Sequence, residues 1–211
     1  MKILIVTLAD EPYWPLARIS VPNKAAYAAK HGYDFLYISE SWWPDWPTSM
    51  SKMPVIAHYF QDYDWVFWTD IDSLIINQSL PLEGFMGPVN GDLIVHANSD
   101  GINCGQMLVV GDSPWFADTY LKFCKDVDKW AQHPWWEQAA IQHYVKSANV
   151  GYVGGEFNRM VRTGPEDNDI HKIMRKMDFQ GFKKTDFIWH FAGIGGERAH
   201  LRLELMEELA K

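Results

Sequence analysis

The sequence predicts an α/β fold with a mostly parallel central sheet flanked by helices. Three observations predict it. Short β-branched runs alternate with helix-length segments through roughly the first hundred residues, an order that builds parallel strands with helices on their faces. Hydrophobic residues make up 47% and charged residues 22% of the 211, values of an ordinary globular chain able to bury a core without staples. An apolar, aromatic run, Asp64–Thr69, ends directly in Asp70-Ile71-Asp72. In such sheets ligands bind beyond the carboxyl ends of strands.

Taken in order, Lys2–Thr7 reads as a buried strand. A helix is expected from Pro22 to His31, with Pro22 in its first turn and Gly32 just past its end. Tyr33–Ile38 is a second strand, and 39–51 a loop rich in Trp, Pro and Ser. Lys52–Gln61 reads as a helix that tolerates Pro54 only in its first turn. After the third strand, Leu93–His96 and Met107–Val110 are short strands, and Pro114–Asp128 and Trp135–Lys146 are helices. Residues 151–169 read as a loop, Asp186–Trp189 as a late strand running into His190, and 197–211 as a charged amphipathic helix. There is no internal repeat and no low-complexity linker.

Composition narrows the partners. The formal charge is −8 and no basic run occurs, which argues against a nucleic-acid binder. The two cysteines, Cys104 and Cys124, have no metal-ligand spacing and make no disulfide framework. No stretch approaches the ~18 apolar residues of a membrane span, so the expectation is a cytoplasmic chain without a transmembrane segment. Of the 11 tryptophans, Trp65 and Trp68 flank an apolar strand and read as core. Trp42, Trp43 and Trp46 fit either packing or a sugar-binding surface.

Asp70 and Asp72 lie one residue apart, and in extended backbone such side chains point the same way. Two anions on one face repel unless a cation neutralises them, and hard oxygen ligands suit Mg²⁺ or Mn²⁺. The bland alternative is that both aspartates cap a turn. A second chemistry uses the same letters: in phosphatases of the haloacid dehalogenase type, an Asp-x-Asp pair supplies a nucleophile and an acid, with Asp112 or Asp118 as the later acidic group. Gly101–Gly105 reads as a tight polar turn whose glycines let Asn103 and the backbone approach a hydroxyl closely. Glu137 suits the first turn of its helix, or stands as a functional carboxylate at the rim of a cleft. His190, at a strand end before glycine, is a candidate third ligand for the ion.

Several segments in order resemble glycosyltransferase family 34. They are Asn23-Lys24 with Tyr27, His31–Asp34, Ser51–Pro54, Asp64–Asp72, Gly101–Gly105 with Leu108-Val109, Ser113–Trp115, Trp136–Gln138 and His190–Gly193. The resemblance implies a GT-A fold over 1–211, with 1–110 as the nucleotide-binding part and 111–211 as the acceptor side and C-terminal metal-ligand segment. It implies Mn²⁺, or Mg²⁺ in its place, held by Asp70, Asp72 and His190. Lys52, Asp70, Asn103 and Gly105 are expected on the donor, and Glu137 and Gln138 as the catalytic pair. Position 195, where a basic residue is expected, is Gly, which leaves Arg198 for phosphate contact. The implied reaction is retaining transfer of a hexose or pentose from a nucleotide sugar (a UDP-sugar, or GDP-mannose) to a glycan, giving an α-linkage. A non-catalytic sugar-binding module is the third reading.

Overall fold

The computed structural model describes residues 1–87, 91–99, 101–164, 166–192, 194 and 198–211. Its centre is a six-stranded sheet in the order β2-β1-β3-β6-β5-β7. These strands are β1 (Ile3–Leu8), β2 (Asp34–Ile38), β3 (Trp65–Thr69), β5 (Leu93–Asn98), β6 (Gly101–Val110) and β7 (Val150–Val153). β1 runs parallel to β2 and β3, and β5 parallel to β7, while β6 is antiparallel to both β3 and β5. One strand is therefore reversed in a sheet whose others share a direction. A second sheet holds β4 (Ser73–Ile75), β9 (Ile188–His190) and β8 (Arg159–Met160), with β9 antiparallel to β4 and parallel to β8.

β1 is buried along its whole length because both sheet faces are covered, which is why its sequence is continuously apolar. On one face lie α2 (Lys52–Tyr59), α4 (Pro114–Lys125) and α6 (Trp136–Tyr144), packed through Met53, Ile56, Phe116, Phe123 and Ala140. The other face is closed by Tyr27 and Ala28 of α1 (Trp14–His31) together with Phe157 and Phe187. A third apolar cluster joins Leu16 and Ala17 to Leu74, Trp189 and Leu205, and so ties the small sheet to α7 (Ile170–Phe179) and α8 (Ala199–Leu209).

Several boundaries differ from the sequence reading, each for a physical reason. α1 begins at Trp14 with Pro15 in its first turn, so Pro22 lies in mid-helix. The helix continues through the proline because it is anchored on both sides, by buried Leu16, Ala17 and Ser20 before it and Lys24, Tyr27 and Ala28 after it. It ends at Gly32, whose φ of 73° supplies the left-handed cap. Gly101–Gly105 is not a turn: it is the first half of β6, paired with β5 across a bulge between Val95 and His96. The expected helix 114–128 breaks at Asp126, where α5 (Val127–Ala131) begins. The expected loop 151–169 contributes β7 and β8, while β4, the short α3 (Glu83–Met86) and α7 lie outside the sequence reading.

The start of α4 shows one sequence signal at work. The Ser113 hydroxyl accepts from the Phe116 N–H at 3.2 Å and donates to Asp92 at 2.6 Å. Ser113→Ala is expected to cost about 1 kcal/mol, or roughly 2–4 °C in Tm, measured by thermal unfolding.

Candidate active site at the end of the third strand

β3 carries the chain to Asp70, whose N–H donates to Gly105 O at 2.8 Å and so continues the β3–β6 ladder past Thr69. The chain then turns. Ser73 Oγ donates back to Asp70 O at 2.7 Å, so the two carboxylates converge across a turn and not along extended backbone. β4 follows, and its antiparallel register sets Ser73 opposite His190, with Phe191 N–H donating to Asp72 O at 2.9 Å. Two segments more than a hundred residues apart thus bring Asp70, Asp72 and His190 together, with a ligand atom of each within 4.8 Å of the others.

His190 is 2% exposed. Its Nε2 stands 3.3 Å from Asp72 Oδ1 and 3.7 Å from Asp70 Oδ2. The alignment is not that of a hydrogen bond, and both ring nitrogens lack a hydrogen-bond partner among the described residues. A buried imidazole nitrogen without a partner is costly, and a cation ringed by Nε2 and the two carboxylates would relieve that cost at Nε2. Two oxygen donors and one imidazole suit a Mn²⁺-like ion. These residues fit a divalent cation.

Cations of the protein surround the cluster. Arg202 Nη1 holds Asp72 Oδ2 at 2.9 Å, which leaves Oδ1 on the His190 side. Burial opposes the charge on Asp72, but His190, Arg202 and Lys24 outweigh it and hold the carboxyl well below the usual carboxylate range. Lys24, wholly buried on α1, donates to Asp70 O and Ser73 O at 2.9 Å each, and also to Ser20 Oγ. Desolvation pushes its ammonium down to about 7 against the pull of Asp72 and Asp70. It clamps the turn from behind.

Lys52, 2% exposed, sits on the other side of Asp70. Its Nζ lies 2.8 Å from Cys104 O, 2.8 Å from Glu137 Oε1 and 3.3 Å from Asp70 Oδ1. Burial works against this charge, yet Asp70 and Glu137 raise the pKa of Lys52 above the ordinary lysine value. The next residue of α6, Gln138, accepts from Cys104 N–H through Oε1 at 3.1 Å. Glu137 and Gln138 are thereby both fixed to the same point of β6, one through Lys52 and one directly. Trp136, just before them, has a φ of 40° and is 40% exposed, so a strained aromatic residue opens this helix.

Gly105 explains its own identity. A Cβ there would stand 2.2 Å from His190 Cε1, 2.9 Å from Nδ1 and 3.0 Å from Asn103 Oδ1. The glycine makes room for the histidine ring, where the sequence suggested room for a hydroxyl. Gly105→Ala is expected to displace His190 and weaken divalent-cation binding at the cluster about 10–100-fold, with the far-ultraviolet circular dichroism unchanged; calorimetric titration with Mn²⁺ and Mg²⁺ reads the affinity. Asn103 Oδ1 accepts from Gly105 N–H at 3.0 Å and from Asn158 Nδ2 at 2.7 Å.

The structure brings Asp70, Asp72, His190, Lys52, Asn103, Gly105, Glu137 and Gln138 into one region. Arg198 is held elsewhere: its Nη1 donates to Thr163 Oγ1 at 3.1 Å and Gly164 O at 2.6 Å. Gly193 and Gly195 lie outside the described residues. Sequence reasoning gave no role to Arg202 or Asn158, and named Lys24 only within a motif. Lys24 did carry a signal, as the lone charge in Pro22-Asn23-Lys24-Ala25-Ala26-Tyr27-Ala28-Ala29. Arg202, one charge among many in α8, carried none. The acids required by the phosphatase reading are misplaced. Val110 pairs with Trp65, so Gly111-Asp112 lies at the opposite end of β3 from Asp70, and Asp118 is an exposed partner of Lys122 on α4. Trp42 and Trp43 pack on His58 and Phe123 at 5.3 and 5.7 Å between ring centroids.

The mixed six-stranded sheet flanked by helices is a GT-A fold. Over 99% of this chain and 100% of the other, the structure superposes with a TM-score of 0.71 and 21% identity on a glycosyltransferase involved in the glycosylation of the major capsid of PBCV-1. It also superposes on the galactosyltransferase LgtC solved with donor and acceptor sugar analogues, at a TM-score of 0.59 and 16% identity over 98% and 95%. Residues 1–88 match the galactosyl transferase GMA12/MNN10 family, in agreement with the resemblance read from the sequence. An alpha-1,2-galactosyltransferase of Schizosaccharomyces pombe is 22% identical over 88% of this chain and 58% of its own length. An uncharacterized alpha-1,2-galactosyltransferase of the same yeast is 26% identical over 87% and 58%. The chain thus spans little more than half the length of these relatives, 58% in each. No helix among the described residues is long and apolar enough to cross a membrane.

Proposed function

We propose that the chain is a metal-dependent retaining glycosyltransferase that moves a hexose or pentose from a nucleotide sugar to a glycan acceptor, with an α-linkage in the product. UDP-sugars are the first donors to test, GDP-mannose the second. UDP-galactose leads because the yeast relatives bear galactosyltransferase names. The observation that carries the reading is the buried His190 ring, without a hydrogen-bond partner among the described residues, facing two carboxylates at the carboxyl edge of a GT-A sheet.

Asp70, Asp72 and His190 are the residues to hold Mn²⁺, or Mg²⁺ in its place; the bound ion supplies Lewis-acid neutralisation of the charge that develops on the leaving diphosphate. The protein's own contribution is positional. Lys24 fixes the turn through two carbonyls, and Arg202 commits one oxygen of Asp72. Lys52 acts through Asp70 and Glu137, because its ammonium is walled in by them and by Cys104 O. Asn103 and Gly105 form the floor beside His190. Glu137 and Gln138 line the β face of the donor sugar and exclude water from it, while the acceptor hydroxyl attacks from the face the diphosphate leaves. Arg198 is assigned the donor phosphates only if it exchanges its contacts with Thr163 and Gly164 for them.

The test is nucleotide release from a panel of UDP- and GDP-sugars, with Mn²⁺ and with chelator. Gln138→Ala frees the Cys104 N–H and loosens α6; turnover is expected to fall about 10²-fold, the usual cost of a misplaced positioning group. Glu137→Gln is expected to act in the same direction. Unchanged turnover in both variants would remove these residues from the donor site.

A further inference from the structure

Trp42, Trp43 and Trp46 take no part in the reaction centre, and they border two open clefts. One, of about 340 Å³, is lined by these three and Asp45, together with Cys124 of α4 and Val127 of α5. The other, of about 460 Å³, is lined by the same Trp42 and Trp43 with His58 of α2 and Tyr120 of α4. Both volumes fall within the roughly 300–1,000 Å³ of small-molecule sites. The clefts share the Trp42-Trp43 pair, so they are parts of one aromatic surface.

The chain places this surface beside the candidate active site and outside it. The loop leaves β2 at the carboxyl edge of the sheet and enters α2 at Lys52, whose Nζ meets Glu137 and Asp70. Ser51 Oγ accepts from Trp42 N–H at 3.1 Å and from Trp43 N–H at 3.2 Å, so the residue before that lysine pins the pair. The Trp43 ring lies parallel to Phe123, with 4° between their planes, and Trp42 stands edge-on to His58. These contacts hold the rings in place, so little side-chain freedom is lost when a ligand settles on them.

The polar edges of the surface are open. The indole N–H groups of Trp14, Trp68, Trp115 and Trp189 donate to Ser39 O, Asp70 Oδ1, Tyr144 O and Asp186 Oδ2. Those of Trp42, Trp43 and Trp46 donate to nothing among the described residues, and none of the three is a buried atom, so each reaches solvent. Asp45 is exposed, and its carboxylate makes no hydrogen bond or ion pair among the described residues. The lining holds no lysine or arginine, which disfavours an anion. A purely apolar ligand would strip water from the donors and the carboxylate and leave them unpaired. A neutral sugar chain suits both features. The C–H faces of its rings pack on indole, and its hydroxyls accept from the N–H groups and donate to the carboxylate.

We propose that the surface around Trp42, Trp43 and Trp46 binds a neutral oligosaccharide at a site separate from the metal cluster. That this oligosaccharide is the far end of the acceptor rests on the transferase reading; the binding itself rests on the clefts.

The test reads the indole N–H signals by heteronuclear NMR, in chelator and without nucleotide. Trp42→Phe, Trp43→Phe and Trp46→Phe assign them. Lactose, mannotriose, cellotetraose and xylotetraose are titrated to millimolar concentration. The expected result is a saturable shift of the Trp42, Trp43 and Trp46 signals with at least one of these, while the signals of Trp115 and Trp189 stay in place. Trp46→Ala and Asp45→Ala are each expected to weaken the binding about tenfold, the scale of one truncated anchor. Asp45→Ala removes no contact within the protein, so it carries the test if Trp46→Ala does not fold. No movement of the three signals with any of the four sugars, or affinities equal in the native protein and every folded variant, would overturn the site. So would a dimer in analytical ultracentrifugation that Trp46→Ala dissociates, which would assign the surface to a second copy of the chain. Sugar binding in a protein that shows no Mn²⁺-dependent nucleotide response would sustain the site and overturn the transferase reading. A nucleotide response without sugar binding would do the reverse.

Discussion

Asp72→Ala is expected to remove the response of the chain to Mn²⁺ and nucleoside diphosphate and, in the same protein, to lower its stability. Both effects come from one carboxylate with two employed oxygens. Oδ1 faces the unpaired His190 nitrogen at 3.3 Å, and Oδ2 holds Arg202 at 2.9 Å. The side chains of Asp72 and Arg202 are 13% and 11% exposed, so solvent screens the pair little. Breaking a buried pair by removing one partner costs about 3–5 kcal/mol, here chiefly from leaving Arg202 without its counter-charge. For a chain of this length that is on the order of 10 °C in Tm. Asp72→Asn keeps the size and one acceptor for Arg202, so it should recover part of the stability and none of the metal response. Thermal unfolding of the two variants, with and without Mn²⁺, separates the structural share from the ligand share. A metal-dependent nucleotide shift retained by Asp72→Ala would remove Asp72 from the ligand set.

Lys52→Met is expected to be nearly as costly, and its cost should be largely rescued by a second change. Lys52 and Glu137 are 2% and 6% exposed and meet at 2.8 Å. Without the ammonium, Glu137 is a buried anion with nothing to neutralise it, and Cys104 O loses its donor. The expected loss is again about 3–5 kcal/mol. Replacing both residues by apolar ones, Lys52→Met with Glu137→Leu, removes both charges together. The double variant should therefore be more stable than Lys52→Met alone, a coupling on the order of 1–3 kcal/mol. It should still be inactive, because α6 has lost the fixed position of its first turn. Chemical denaturation of the two single variants and the double one measures the coupling. Additive costs would mean that Lys52 and Glu137 do not form the pair described.

How much of this was legible in the sequence depends on distance along the chain. Asp70 and Asp72 could be read because an apolar strand running into two acids is a local pattern. The turn that brings them together could not, since it depends on Lys24 and Ser73 folding onto Asp70 O. His190 as their partner was reached by a strand-end argument and by the family resemblance; the β4–β9 register that places it is a pairing between segments far apart. Gly105 was singled out for the right property, absence of a Cβ, with the wrong neighbour. Gly101–Gly105 looked like a turn because glycine and asparagine favour turns locally, whereas pairing with β5 overrides that preference. Arg202 and Asn158 were invisible for the same reason: nothing in their neighbours along the chain distinguishes them from other polar residues.

The central claim is that Asp70, Asp72 and His190 make a metal–diphosphate site. Thermal unfolding of the purified chain against UDP and GDP, with Mn²⁺ and then with chelator, tests it most directly. A ligand at about a hundred times its dissociation constant adds about 2.7 kcal/mol, or roughly 5–10 °C for a domain of this size. The account predicts such a shift with one of the two nucleotides and its loss with chelator. No shift with either nucleotide in the presence of Mn²⁺, or a shift indifferent to chelator, would contradict it.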